Sequence, residues 1–223
     1  MNKALIVGFG PSIQQNMKDW ERLGEFPGLV FVCDSAIETV LNSTIMHPFY
    51  GTTLEDGEDL NKYFIPPNVK KLGSQIITVL TSDRTHKKTL LSIKDAGLKY
   101  ETAAKARDWM NTSNVALYSY HIARVVYNCN EIYLLGMDHC YAKDKPPPVD
   151  QNSELFAVGF YKLWEPHNDE HLILNPAHEL WREEFDHYTK TFPEIKVTNL
   201  TGRGALYNRE KYIWKPIKEM QQW

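Results

Sequence analysis

Gly8-Phe9-Gly10-Pro11-Ser12 follows a run of apolar residues and precedes a helical pattern. Glycine reaches backbone conformations closed to other residues and lets a main chain approach a ligand closely. A helix starting behind such a loop offers unpaired N–H groups to an anion. The loop departs from two phosphate-binding patterns, because Pro11 and Ile13 break G-x-G-x-x-G and no Gly-Lys-Ser/Thr follows. A tight strand-to-helix turn without a ligand therefore stays open beside the anion-binding reading. Asp34 closes the next apolar run, 24 positions after Gly10, and Ser35 stands behind it. A carboxylate there can accept from both hydroxyls of a ribose. It can equally cap the helix that follows. Gly136-Met137-Asp138 ends a later apolar run. Asp138 could hold ribose, base or metal, or merely finish a strand.

Histidines crowd the second half: His139, His167, His171, His178 and His187. His167 and His171 have the spacing of a zinc pair, and Cys140 adjoins His139. Pro166 and acidic neighbours break a common helical face, and no second pair completes a tetrahedral set. No metal site is expected. An imidazole, with an ordinary pKa near ~6.5, suits a general base. His178 is the choice, since it follows Asn175-Pro176-Ala177 where a helix begins. The positive end of that helix favours a neutral ring, whereas Glu179, Glu183 and Glu184 favour a charged one, so the sequence does not sign the shift. His171 is the rival, and plain loop or surface histidines are the alternative. Between Arg203 and Lys218, five cations alternate with Tyr207, Tyr212 and Trp214. Such a tail could grip a phosphate, a glycan or a nucleic-acid strand. A solvated amphipathic tail packed on the body fits the same pattern. No G-x-S-x-G elbow supports hydrolase chemistry.

The 223 residues suffice for one large domain, or one domain with a lid. A chain 43% hydrophobic and 24% charged can bury a core, which excludes disordered, collagen-like and disulfide-scaffold classes. The net charge of −3 provides no global basic field for nucleic acid. Cys33, Cys129 and Cys140 lack C-x-x-C spacing and fit free thiols in a reducing compartment. No run approaches the ~18 apolar residues of a membrane span. The chain runs from Met1-Asn2-Lys3 straight into a strand-like segment without a signal-peptide pattern. A cytoplasmic protein without membrane insertion is expected.

Ala4–Val7, Leu29–Cys33, Gln75–Thr81 and Ile132–Leu135 are continuous apolar runs, the signature of strands buried on both faces. Phe49–Leu54 and Ile195–Thr198 read as further strands. Helical spacing follows Ser12, Ser35 (as a cap), Val115 and His178, the last two extending to Tyr127 and Lys190. Residues 82–107 read as polar helix and loop. From Pro146 to about Pro176 the pattern is irregular and too long for an ordinary connection. The expected fold is α/β, a mostly parallel Rossmann-like sheet flanked by helices with an irregular lid or small subdomain. Residues 1–141 form the nucleotide-binding core, 142–177 the lid, and 178–223 the closing helix, strand and basic tail of the same domain.

With these residues placed, the chain resembles the MptE-like superfamily (domain of unknown function 115). Leu5–Ile13 resembles its G-x-G-P-S-L opening, and Asp34-Ser35-Ala36 its second acid-then-helix element. Asn111–Ala116 followed by Glu131–Asp138 resembles its loop, helix and I-Y-L-x-G-x-D block. Asn199–Thr201 with Gly204–Leu206 resembles its closing strand and turn. The superfamily includes motility accessory factors, related bacterial sialyltransferases using CMP-activated sugars, and archaeal enzymes that transfer pyrophosphate from ATP to 6-hydroxymethyl-7,8-dihydropterin. The resemblance implies a nucleotide pocket lined by Gly8, Gly10, Ser12, Thr112, Ser113, Gly136 and Asp138, to which the reading of the residues adds Pro11, Asp34, Ser35 and Met137. It implies His178 as base and a phosphate contact near Tyr141, and His171 on the lid is expected near the phosphate or acceptor. Phe9 stands where the sialyltransferases have Asn, and Met110 where they have Arg. Tyr141 lies one position past their tyrosine.

The resulting expectation is a glycosyltransferase with a CMP- or UDP-type nucleotide-sugar donor. The alternative is the pyrophosphokinase, which needs ATP and Mg²⁺; otherwise no cofactor is expected. A glycan, a small metabolite or a modified nucleic-acid base stays open as acceptor, and so does homo-oligomerisation.

Overall fold

The computed structural model describes residues 2–15, 24–43, 47–54, 63–104, 114–140, 161–165, 170–174, 176–201 and 213–214. Strands β1 (Lys3–Val7), β2 (Leu29–Cys33), β3 (Phe49–Thr53), β4 (Ile76–Thr81) and β5 (Tyr100–Thr102) alternate with helices α1 (Ser12–Gln15), α2 (Ile37–Leu41), α3 (Pro67–Leu72) and α4 (Lys87–Asp95). Helix α5 (Val115–His121) leads to β6 (Glu131–Leu135). After β7 (Tyr161–Glu165) and β8 (Glu170–Leu174), helix α6 (Pro176–Thr191) precedes β9 (Lys196–Asn199) and β10 (Ile213–Trp214).

Eight of these strands form one sheet in the order β10-β9-β6-β1-β2-β3-β4-β5. Every pairing in it is parallel. The chain builds outward from β1 in one direction through β5, then returns to add β6 on the other flank of β1. That reversal between β1 and β6 is the switch point at which open α/β sheets hold ligands, outside the carboxyl ends of the strands.

The apolar runs are continuous because both faces of the sheet are covered. Leu5 and Val7 of β1 join a core with Val30, Val32, Ile37 and Val40. Ala4 and Ile6 turn to the opposite face, against Leu117, Tyr118, Ile132 and Phe185. The period of two along β1 therefore serves two cores at once. Asn114 starts α5 by accepting from the N–H groups of Ala116 (2.8 Å) and Leu117 (3.2 Å). Ser119, small enough for α5 to lie close on the sheet, bonds Thr52 of β3 at 2.7 Å.

Several elements differ from the sequence reading. The stretch 82–107, read as helix and loop, also holds β5, whose Glu101 and Thr102 are exposed and leave no apolar signature. The irregular segment contains an antiparallel ribbon of β7 with β8, in register from Tyr161↔Leu174 to Glu165↔Glu170. The helix expected through Tyr127 is α-helical only to His121 and continues as a π turn over Ile122–Val126. Helix α6 starts at Pro176, a residue whose missing N–H costs nothing at a first helical position. Ser35 does not cap α2 through its side chain; it lies in a 3₁₀ turn, Asp34–Ala36, and its N–H donates to Asp34 Oδ1 at 2.7 Å. Of the basic tail, only β10 lies among the described residues. No helix among them is long and apolar enough to cross a membrane.

The π turn adjoins a buried histidine. His121 is fully buried, edge-on to Tyr188 at 4.4 Å, with Arg124 Nη2 3.4 Å from its Nδ1. Burial first, then the Arg124 charge, pushes its pKa down to about 3. The unfolded chain takes up a proton near pH ~6.5, whereas the folded chain resists until about 3. Stability is therefore complete above that range and is lost as pH falls through it. Denaturant unfolding between pH 7 and 4 checks this, and His121→Phe is expected to flatten the decline.

Candidate functional site

Register places the site. Val7 pairs with Val32 on one side and Leu135 on the other, so β1, β2 and β6 end at one level. The residues that follow these ends, Gly8, Asp34 and Gly136, consequently emerge together along the carboxyl edge. Gly8 N–H donates to Leu135 O and Gly10 N–H to Gly136 O, both at 2.8 Å. Ser12 N–H lies 3.2 Å from both carboxylate oxygens of Asp138, and Ser12 Oγ–H donates to Oδ2 at 2.6 Å. Asp138 is fully buried and Ser12 nearly so. The loop after β1 is thus fastened to the end of β6 across the switch point.

This geometry revises one expectation. The N–H groups of Gly8, Gly10 and Ser12 are engaged by protein oxygens, so they do not form an open anion cradle. Asp138 itself occupies the start of α1. The two glycines matter for closeness instead. A Cβ on Gly8 would meet Gly136 O at 2.7 Å, and one on Gly10 would enter the Asp138 carboxylate. Gly136 has φ +66°, a conformation that other residues adopt only with strain, and it turns the chain after β6 toward Met137. Met137 N–H donates to Thr201 Oγ1 at 3.1 Å, and Thr201 N–H to Asn199 Oδ1 at 3.0 Å. The end of β9 is thereby knitted to that of β6.

Asp34 is held in the same way. Its Oδ1 accepts from Ser35 N–H, and its Oδ2 from Thr53 Oγ1–H at 2.9 Å. Cys33 of β2 pairs with Thr52 of β3, which sets Thr53 level with Asp34. Met137, adjacent in sequence to the fully buried Asp138, is itself buried.

His178 is the third residue of α6 and is buried, its ring edge-on to Trp181 at 5.4 Å. His139 directly follows Asp138 and sits edge-on to the same Trp181 at 6.5 Å and to Phe185 at 5.6 Å. Through this aromatic cluster the first turn of α6 is tied to the end of β6. Burial lowers the His178 pKa to about 4. The sign left open by the sequence is thus set by desolvation, and the ring is neutral near pH 7.

Thr112, Ser113 and Tyr141 lie outside the described residues, as do Met110 and His167. His171 lies on β8, opposite Trp164 of β7. Cys33, Cys129 and Cys140 are buried free thiols. Among the described residues no group of three His, Cys, Asp or Glu side chains could hold a metal ion. Sequence reasoning missed Thr53, His139 as a packing partner, and Trp181. For Thr53 a signal existed: it stands near the end of the strand read over Phe49–Leu54, as Asp34 and Asp138 follow strand ends. His139 has φ +48°, a conformation that no spacing rule reports.

The sheet order and switch point define a Rossmann-like α/β protein. The chain is similar to the sialyltransferase CstII from Campylobacter jejuni solved with the substrate analogue cytidine-5'-monophosphate. The identity is 14%, the TM-score 0.54, and the match covers 100% of this chain and 88% of that one. It is also similar to an α-2,3/8-sialyltransferase CstII structure at 15% identity and TM-score 0.51, over 93% and 84% of the two chains. A structure of the same enzyme with a trisaccharide acceptor and CMP matches at 14% identity and TM-score 0.51, again over 93% and 84%. At such identities the likeness establishes the fold. No family model and no curated protein sequence matches the chain.

Asp138→Asn puts an amide where Ser12 needs two acceptor oxygens. It is expected to lower stability by about 1.5–3 kcal/mol, the range for hydrogen bonds to charged groups. Denaturant unfolding measures this, with Ser12→Ala expected to lose less. An unchanged midpoint for Asp138→Asn would show that the contact carries no weight.

Proposed function

We propose that the protein is a glycosyltransferase that uses a nucleotide-activated sugar of CMP or UDP type. The observation that carries this reading is a neutral, buried His178 tied by Trp181 to the strand end that carries Asp138. The similarity to a fold solved with CMP supports it.

In this reading the nucleotide lies across the carboxyl ends of β1, β2 and β6. Gly8, Gly10, Pro11 and Ser12 form one wall, and Ser35 and Met137 border it. Asp34 accepts a hydrogen bond from the ribose. Asp138 keeps the wall in place rather than touching the donor. The acceptor hydroxyl oxygen attacks the anomeric carbon while His178 takes its proton. The bond from that carbon to the phosphate oxygen breaks, and the nucleotide leaves with the electron pair. Thr112, Ser113 and Tyr141 supply donors to the developing phosphate charge, and residues 142–177, including His171, cover the acceptor side. Such transfer needs a base and phosphate donors but no bridging metal. A cytoplasmic location, membership of the MptE-like superfamily and a glycan, small-metabolite or nucleobase acceptor belong to the same proposal.

Thermal unfolding with CMP, UDP, ADP and ATP, each with and without Mg²⁺, tests the donor class. CMP or UDP should raise the melting temperature without Mg²⁺. Stabilisation by ATP with Mg²⁺ alone would instead favour pyrophosphate transfer. Once a donor is known, His178→Ala should lower turnover about 10²–10⁴-fold with donor affinity retained. The acid limb of kcat/KM should fall near pH 4 rather than near 6.5, because desolvation keeps His178 unprotonated down to about 4. Full turnover in His178→Ala would remove it from the mechanism.

A further inference from the structure

The loop after β1 is anchored on both sides of one large side chain. Gly8 and Gly10 press against the end of β6, and Ser12 is fastened to Asp138. Between the two glycines Phe9 is 50% exposed. A tight turn works equally well with a small polar residue at this position. A phenyl ring there instead leaves apolar surface in water, a cost that binding can reverse. The residues on either side of it are fixed, Gly8 N–H on Leu135 O and Gly10 N–H on Gly136 O, so little further backbone ordering would accompany a contact. Phe9 also stands at the end of the central strand, beside the switch point, where a ligand of this fold class would lie.

We infer that Phe9 is a ligand platform whose ring packs against the flat face of a ring carried by the donor. A phenyl ring has no donor or acceptor for phosphate, so its partner is the nucleobase or the transferred sugar. Both present a ring face of low polarity to an aromatic side chain. The inference rests on reading this crevice as the nucleotide-sugar site, and it adds the residue that selects for a ring at this point.

Isothermal titration of the wild-type chain, Phe9→Ala and Phe9→Tyr with CMP, UDP, CMP-N-acetylneuraminate and UDP-glucose tests it. Phe9→Ala should weaken binding about fivefold to a hundredfold, while Phe9→Tyr stays within about twofold of wild type. A loss already present with CMP or UDP assigns the contact to the base. A loss confined to the nucleotide-sugars assigns it to the sugar. Equal affinity of wild type and Phe9→Ala for every ligand that binds overturns the inference and leaves the site reading standing. A wild-type chain that binds none of the four overturns both. A melting temperature for Phe9→Ala several degrees below wild type also overturns it, because the ring would then be packed in the fold.

Discussion

The hydrogen bonds between Asp138 and Ser12 join two parts of the chain that are 126 positions apart. They do so at the switch point, between the ends of the paired strands β1 and β6. Together with the bonds from Gly8 N–H to Leu135 O and from Gly10 N–H to Gly136 O, that contact makes the loop after β1 and the turn after β6 one lip. Several other features only make sense as accommodations to this closeness. Gly8 and Gly10 carry no Cβ because Gly136 O and Asp138 occupy that space. Gly136 takes a positive φ to turn the chain that carries Asp138. Thr201 holds Met137 from the far side. The buried Asp138 carboxylate accepts from Ser12 N–H and Oγ–H, in keeping with the general condition that buried polar groups be hydrogen-bonded.

The rest of the candidate site is arranged around that lip. Asp34 is fixed to Thr53 one strand further out, so the edge from β6 to β3 has each of its ends pinned. On the opposite flank, His139 and Trp181 connect the end of β6 to the first turn of α6. His178 therefore owes its placement to packing. The same packing removes water from the ring and keeps it neutral. One physical cause, burial against aromatic residues, both positions the His178 ring and sets its protonation state.

Much of this was legible in the sequence where the chain is locally consistent. Buried parallel strands announce themselves as continuous apolar runs, and their carboxyl ends carry Gly8, Asp34 and Asp138 in plain view. The order of strands in the sheet was not legible, because parallel pairing leaves no local signature. The contact between Ser12 and Asp138 was not legible either, because the two are 126 positions apart and only the folded chain brings them together. β5 escaped notice because an edge strand with exposed residues has no hydrophobic pattern. The sign of the His178 shift depended on how deeply the start of α6 is buried, which neighbouring glutamates in the sequence do not reveal.

A crystal structure grown with CMP tests the central claim most directly. The account predicts CMP across the carboxyl ends of β1, β2 and β6, against the Gly8–Ser12 wall, with the Ser12–Asp138 bonds intact and His178 facing the open side of the phosphate. CMP bound elsewhere on the chain, or a bound state in which Ser12 has left Asp138, would contradict it.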